Sequence, residues 1–164
     1  MNGNSETAYL AGGCAWTMQH LLRHPSGVIS TRTGFMGGEN DNPTEADNVG
    51  HAEVVEVVFD PERLSFRGLL DVFFQVHRAD LDEATVGNQY RSEIFCTNAD
   101  QRAVAQEMIG DVDAAGFWPG RTATSVSDAA VFWPMGPEDQ DYFLRFPHGC
   151  KPPFPARSSS MSGR

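Results

Sequence analysis

A chain of 164 residues matches one domain, at roughly 100 to 200 residues per domain, and is long enough to bury a real core. Lys and Arg number 12 against 22 Asp and Glu, giving a formal net charge of -10 that argues against a nucleic-acid partner. Hydrophobic residues at 40% and aromatic residues at 10% exclude a disordered chain.

Residues 7–11 (TAYLA) read as a short strand, Gly12 and Gly13 as a turn, and residues 14–23 as a helix carrying Trp16, Met18, Leu21 and Leu22. After a Pro-Ser-Gly turn at 25–27, β-branched residues over 28–35 predict a second strand. Residues 36–50 hold glycines, a proline and no Lys or Arg, the composition of a solvated loop. HAEVVEVVF at 51–59 alternates imperfectly and predicts a mostly buried strand. A core helix follows at 65–76 with Ser65 as N-cap, then a polar loop at 77–90. Residues 91–97 predict a strand, 100–115 a helix capped by Asn98 or Asp100, and 121–133 one or two further strands.

The order βαββαβ predicts an α+β fold, with an antiparallel or mixed sheet and helices on one face. Residues 1–150 are expected to form a single domain and the Pro- and Ser-rich residues 151–164 a flexible tail. No apolar run approaches the roughly 18 residues needed to span a bilayer, and residues 1–8 lack a basic stretch leading into an apolar one. The expectation is a cytoplasmic protein with no membrane or nucleic-acid partner. Cys14, Cys96 and Cys150 are too few and too widely spaced for a disulfide scaffold or a zinc site, so no metal is expected. In a reducing compartment, a cysteine that matters is catalytic.

Cys14 is placed for that role. At the start of a helix a thiol meets free backbone N–H groups and the positive end of the helix dipole, which favour the thiolate over a thiol of ordinary pKa about 8.5. The glycines before it allow another molecule close approach. Cys96 shares a strand face with Ile94 and reads as a core residue.

Several ordered motifs resemble the A-type peptide methionine sulfoxide reductases. Gly13-Cys14-Ala15-Trp16-Thr17-Met18-Gln19 stands where that family has Gly-Cys-Phe-Trp-Gly-x-Glu, and Gly34-Phe35-Met36-Gly37-Gly38 where it has Gly-Tyr-x-Gly-Gly. Asn42-Pro43-Thr44, Gly50-His51-Ala52-Glu53 and Gln89-Tyr90-Arg91-Ser92 repeat further family motifs, and the resemblance runs from Ala8 to Pro147. It implies a two-layer α/β sandwich around a ferredoxin-like core, with no bound cofactor and an external thiol reductant such as thioredoxin. It also implies that the Cys14 thiolate attacks a sulfoxide sulfur, leaving a sulfenic acid. Glu53 would donate a proton to the sulfoxide oxygen, Tyr90 would hydrogen-bond the same oxygen, and Trp16 would wall the methyl group. Cys150, after Pro147-His148-Gly149, would resolve the sulfenate. His51 and His77 match family positions and read first as structural hydrogen-bonders, with His51 kept among the substrate-side residues.

The departures cluster on the substrate side. Ala15 replaces a Phe and is expected to open volume; Phe35 replaces a Tyr and removes an oxygen-directed donor worth about 2 to 4 kcal/mol. Thr85 replaces an Asp, Gln19 a Glu, and the 42–51 loop is short. Three functional classes follow: a methionine S-sulfoxide reductase, a paralogue using Cys14 on another small molecule in a specialised pathway, and a non-catalytic redox-sensing or binding protein. Eight of the acidic residues lie between Arg32 and Arg63 without an intervening Lys or Arg, a solvated face that disfavours anionic substrates.

Overall fold

In the computed structural model, which describes residues 4–147, the first half of the chain forms β1 (Glu6–Gly12), α1 (Ala15–Leu22), β2 (Val28–Met36), β3 (Ala52–Phe59) and α2 (Phe66–Gln75). The second half forms α3 (Glu83–Val86), β4 (Ser92–Cys96), α4 (Ala99–Ala115), β5 (Ser125–Asp128), β6 (Trp133–Pro134) and α5 (Tyr142–Arg145). Local chemistry sets the boundaries. Ser65 Oγ accepts from the Gly68 N–H at 2.9 Å to open α2, and Asn98, not Asp100, caps α4 by accepting from the Gln101 N–H at 2.8 Å. Gly116, in the left-handed region at φ 64°, ends α4.

The six strands make one sheet in the order β5-β4-β1-β3-β2-β6, antiparallel except where β4 meets β5. Its central order, β4-β1-β3-β2, together with α1 and α2 between the strands, is the ferredoxin-like βαββαβ arrangement. The α+β, two-layer reading of the sequence is therefore correct, with a mixed sheet.

Helices α1, α2 and α4 lie on one face. Ala8, Leu10, Val55, Val57, Phe59 and Ile94 of the sheet meet Leu22, Leu70, Phe73 and Met108 of the helices in the main core. Ala11, Met36, Ala52, Val54 and Phe95 form a smaller cluster on the opposite face. β3 is thus buried on both sides, which explains why its sequence does not alternate cleanly. Cys96 is buried in the main core beside Ile94, as its strand position predicted, and burial pushes its thiol pKa up.

The polar loop expected over 77–90 contains α3 and a single 3-10 turn at Asn88–Tyr90. The four residues of α3 are too few to show a periodic pattern, and the turn forms because the Asp82 carboxylate accepts from the Thr85 N–H at 3.0 Å. β5 and β6 both lie within 121–134; β6 pairs only through Gly34 with Pro134 and Phe35 with Trp133. Cys150 and the tail at 151–164 lie outside the described residues. Among those described, no helix is long and apolar enough to cross a membrane.

His77 joins the helical layer to the sheet. Its Nδ1 lies 2.7 Å from the Phe73 carbonyl, which can only accept, so Nδ1 carries the proton. Nε2 then accepts from Ser92 Oγ at 2.8 Å, and Ser92 Oγ is in turn 2.8 Å from Thr124 Oγ1. Burial pushes the imidazole pKa down to about 4 from 6.5. Because the folded pKa lies below the unfolded one, the neutral ring stabilises the fold above about pH 6.5, and this contribution is lost as pH falls toward 4. Its size is on the order of 3 kcal/mol. Urea unfolding at pH 8 and pH 4.5 should show the wild type well ahead of His77→Gln at the higher pH and the gap narrowed at the lower; a pH-independent gap refutes the assignment.

Candidate active site

The site forms at one end of the sheet, where β1 and β2 finish and β3 and β4 begin. β1 ends at Gly12, Gly13 turns with φ 103°, and Cys14 occupies the N-cap of α1, its carbonyl accepting from the Met18 N–H at 3.0 Å. Gly13 adopts a backbone conformation that L side chains resist. At Gly12 a Cβ would collide with the Met18 methyl and come within 3.0 Å of the His77 ring. Both glycines are therefore required for the strand to deliver Cys14 to the helix start.

Glu53 projects from β3 on the helical side of the sheet and is 5% exposed. Its Oε1 accepts from the Ala15 N–H at 2.9 Å, so the carboxyl takes the first backbone donor after the thiol. Its Oε2 accepts from Gln89 Nε2. Phe35 of β2 stands directly across from Glu53 in the sheet register and is buried, so the neighbour of this carboxyl is a phenyl ring with no hydroxyl to donate. The single sequence feature that identifies Glu53 is its place in Gly-His-x-Glu; its partner, a backbone amide, carries no side-chain signal.

Trp16 follows Cys14 by two residues and lies on another side of α1. Its ring stacks on Tyr142 of α5 with centroids 3.7 Å apart and planes 4° from parallel. The indole Nε1 donates to Asp139 Oδ1 at 3.2 Å. Burial raises the Asp139 carboxyl pKa, opposed by this indole hydrogen bond.

Gln19 explains how α5 reaches Trp16. It is buried; its Nε2 donates to the Thr31 carbonyl at 3.1 Å and to Asp141 Oδ1 at 3.2 Å, and its Oε1 accepts from the Asp141 N–H at 2.9 Å. An amide can both donate to the carboxylate and accept from the backbone, which a glutamate carboxylate cannot. Arg23 adds an ion pair to Asp141 at 2.8 Å, and Asp141 sits in the left-handed region at φ 55° immediately before Tyr142. The stacking partner Tyr142 and the Gln19–Asp141 clamp were not found from sequence, because the contact spans more than 120 residues.

The remaining expected residues are distributed as follows. Tyr90 ends the 3-10 turn and, with Cys14, lines a cavity of about 720 Å³. Ala15 is 1% exposed, packs in the main core and is not among the described residues lining that cavity. The Ala15 side chain thus packs in the core and off that cavity, while its amide bonds Glu53. Thr85 is exposed and its hydroxyl donates to Asp82 Oδ1 at 2.8 Å within its own turn. His51 is buried, with Nδ1 accepting from the Gly38 N–H at 3.1 Å and Nε2 2.8 Å from the Asn40 carbonyl, so both nitrogens brace the acidic loop. No cluster of three or more His, Cys, Asp or Glu among the described residues has the geometry to hold a metal ion.

Comparisons with known proteins converge on one family. The family model "Peptide methionine sulfoxide reductase" matches residues 6–158. The peptide methionine sulfoxide reductase MsrA of Nocardia farcinica is 50% identical over 157 residues, covering 93% of this chain and 92% of that protein. Among solved structures, methionine sulfoxide reductase A of Corynebacterium diphtheriae is 29% identical with a TM-score of 0.79, covering 93% of this chain and 80% of that one. The reduced form of Mxr1 from Saccharomyces cerevisiae shares the fold, with a TM-score of 0.82 at 21% identity over 93% of this chain and 92% of that one.

Proposed function

The chain belongs to the peptide methionine sulfoxide reductase family, and on that premise we propose that it reduces methionine S-sulfoxide with Cys14 as nucleophile and Glu53 as proton donor. The observation that carries this reading is the shared anchor: Glu53, buried on β3, bonds the amide of the residue that follows the thiol. One hydrogen bond ties the Glu53 carboxyl to the backbone next to Cys14.

In the reaction, the Cys14 thiolate attacks the sulfoxide sulfur as the sulfoxide oxygen takes a proton from Glu53. The oxygen ends on the cysteine as a sulfenic acid and the thioether is released, so the substrate sulfur is reduced and Cys14 oxidised by two electrons. A second thiol then displaces the oxygen as water and forms a disulfide, which an external dithiol reduces. Cys150 is our choice for that second thiol, on the family resemblance of its sequence setting, and thioredoxin for the dithiol. Such chemistry suits a reducing cytoplasm.

Trp16, braced by Tyr142 and Asp139, supplies a rigid aromatic wall for the methyl and sulfur of the substrate. Tyr90, which shares a cavity wall with Cys14, takes in this reading the hydrogen-bonding role toward the sulfoxide oxygen that the family resemblance implies. With Phe35 in the place of a tyrosine, Tyr90 carries more of that task. Identity of 50% to a named reductase over nearly the whole chain tells against a paralogue acting on another substrate and against a non-catalytic sensor.

Purified protein is expected to reduce methionine S-sulfoxide in the presence of dithiothreitol, and Cys14→Ser to abolish this. Glu53→Gln, which keeps an acceptor for the Ala15 N–H but cannot release a proton, should lower kcat by about 10² to 10⁴ while the protein stays folded. Wild-type protein without turnover, or Glu53→Gln with full activity, refutes the assignment.

A further inference from the structure

The cavity beside Cys14 is larger and more apolar than the reaction itself needs. Its volume of about 720 Å³ falls in the range of about 300 to 1,000 Å³ that holds ligands of many atoms, well beyond one methionine side chain. Cys14 and Tyr90 stand on its wall, whereas Trp16 and Glu53 are not among the described residues that line it. The thiol therefore borders a cavity reached along the Thr17 and Leu21 side of α1.

The lining defines what fits. Leu21, Leu81 and Trp118 supply apolar surface from α1, the 77–82 segment and the segment after α4. The two basic side chains on the wall present no free charge. His77 is neutral, with its pKa pushed down to about 4 by burial, and Arg78 is held by Asp80 at 2.7 Å with its guanidinium 5.4 Å over the Trp118 ring. An ionic guest finds no counter-charge there, and an apolar side chain finds a mostly apolar wall. At Gly13, a Cβ would meet nothing within 4 Å, so the backbone beside the thiol is open to an approaching chain.

We propose that this cavity is a subsite for an apolar side chain flanking methionine sulfoxide in a peptide substrate. The inference rests on the reductase reading above and adds to it a substrate class: extended polypeptide with a large aliphatic or aromatic neighbour beside the sulfoxide. A segment of that kind is buried in folded proteins and exposed in damaged or unfolded ones.

The test uses two short peptides that differ only in the residue next to methionine sulfoxide, leucine in one and serine in the other, with the variable residue placed on each side in turn. Calorimetric titration into full-length Cys14→Ser protein, which retains the cavity but does not turn over, should give at least about tenfold tighter binding of the leucine peptide in one of the two arrangements. Leu21→Asp and Leu81→Asp, on different segments of the wall and each combined with Cys14→Ser, should both erase that preference, so misfolding of α1 alone cannot mimic the result. Equal affinity for the two peptides in both arrangements, or a preference that survives both variants, overturns the proposal. Turnover of free methionine S-sulfoxide by the wild type separates the two levels. Reduction of the free amino acid without peptide discrimination keeps the reductase and discards the subsite; discrimination without any reduction keeps the subsite and discards the reductase.

Discussion

A helix that begins at Ala15 leaves its first N–H groups without partners inside the helix, and Glu53 takes the first of them. This bond crosses from β3 to α1 and fixes three things at once: where the helix starts, how Cys14 stands at its N-cap, and where a buried carboxyl sits relative to the thiol. It survives burial because the carboxyl is satisfied on both oxygens, by the Ala15 amide and by Gln89. The ferredoxin-like sheet serves this contact. β1 and β3 are antiparallel neighbours, so the end of one and the start of the other meet at the same edge of the molecule.

A second layer of contacts holds the aromatic wall. Gln19 reads the backbone of Asp141, Asp141 sets the start of α5, and Tyr142 is thereby laid flat on Trp16 while Asp139 takes the indole N–H. Within this chain the replacement of a signature glutamate by Gln19 is coherent with its partner. The side chain must donate to a carboxylate and to a carbonyl and also accept from an amide. His51 does comparable work for the acidic loop, bonding its backbone at Gly38 and Asn40 and keeping that mostly exposed segment attached to the start of β3.

Most of the fold was legible in the sequence because it is written in periodicity and punctuation. The glycine pair before Cys14, Ser65 and Asn98 at helix starts, and the β-branched runs of β2 and β3 all placed elements within a few residues of where they form. α3 was missed because a four-residue helix has no period to detect. The motif residues Cys14 and Glu53 were legible, yet the contact joining them was not, since it uses a backbone amide. Reading Ala15 as an opening in the substrate pocket gave its side chain a role that the structure gives to its N–H, because the methyl group faces the main core. Tyr142 and Asp139, distant in sequence and in short segments, carried no local signal.

The claim on which all of this turns is that the Glu53 carboxyl is bonded to the amide of Ala15. It is read most directly by following the Ala15 amide resonance by nuclear magnetic resonance through a pH titration of the wild type and of Glu53→Gln. The predicted result is an Ala15 amide proton that moves with the ionisation of a single carboxyl in the wild type and stays flat over the same range in the variant. An Ala15 resonance that ignores pH in the wild type, or that titrates identically in both proteins, would contradict it.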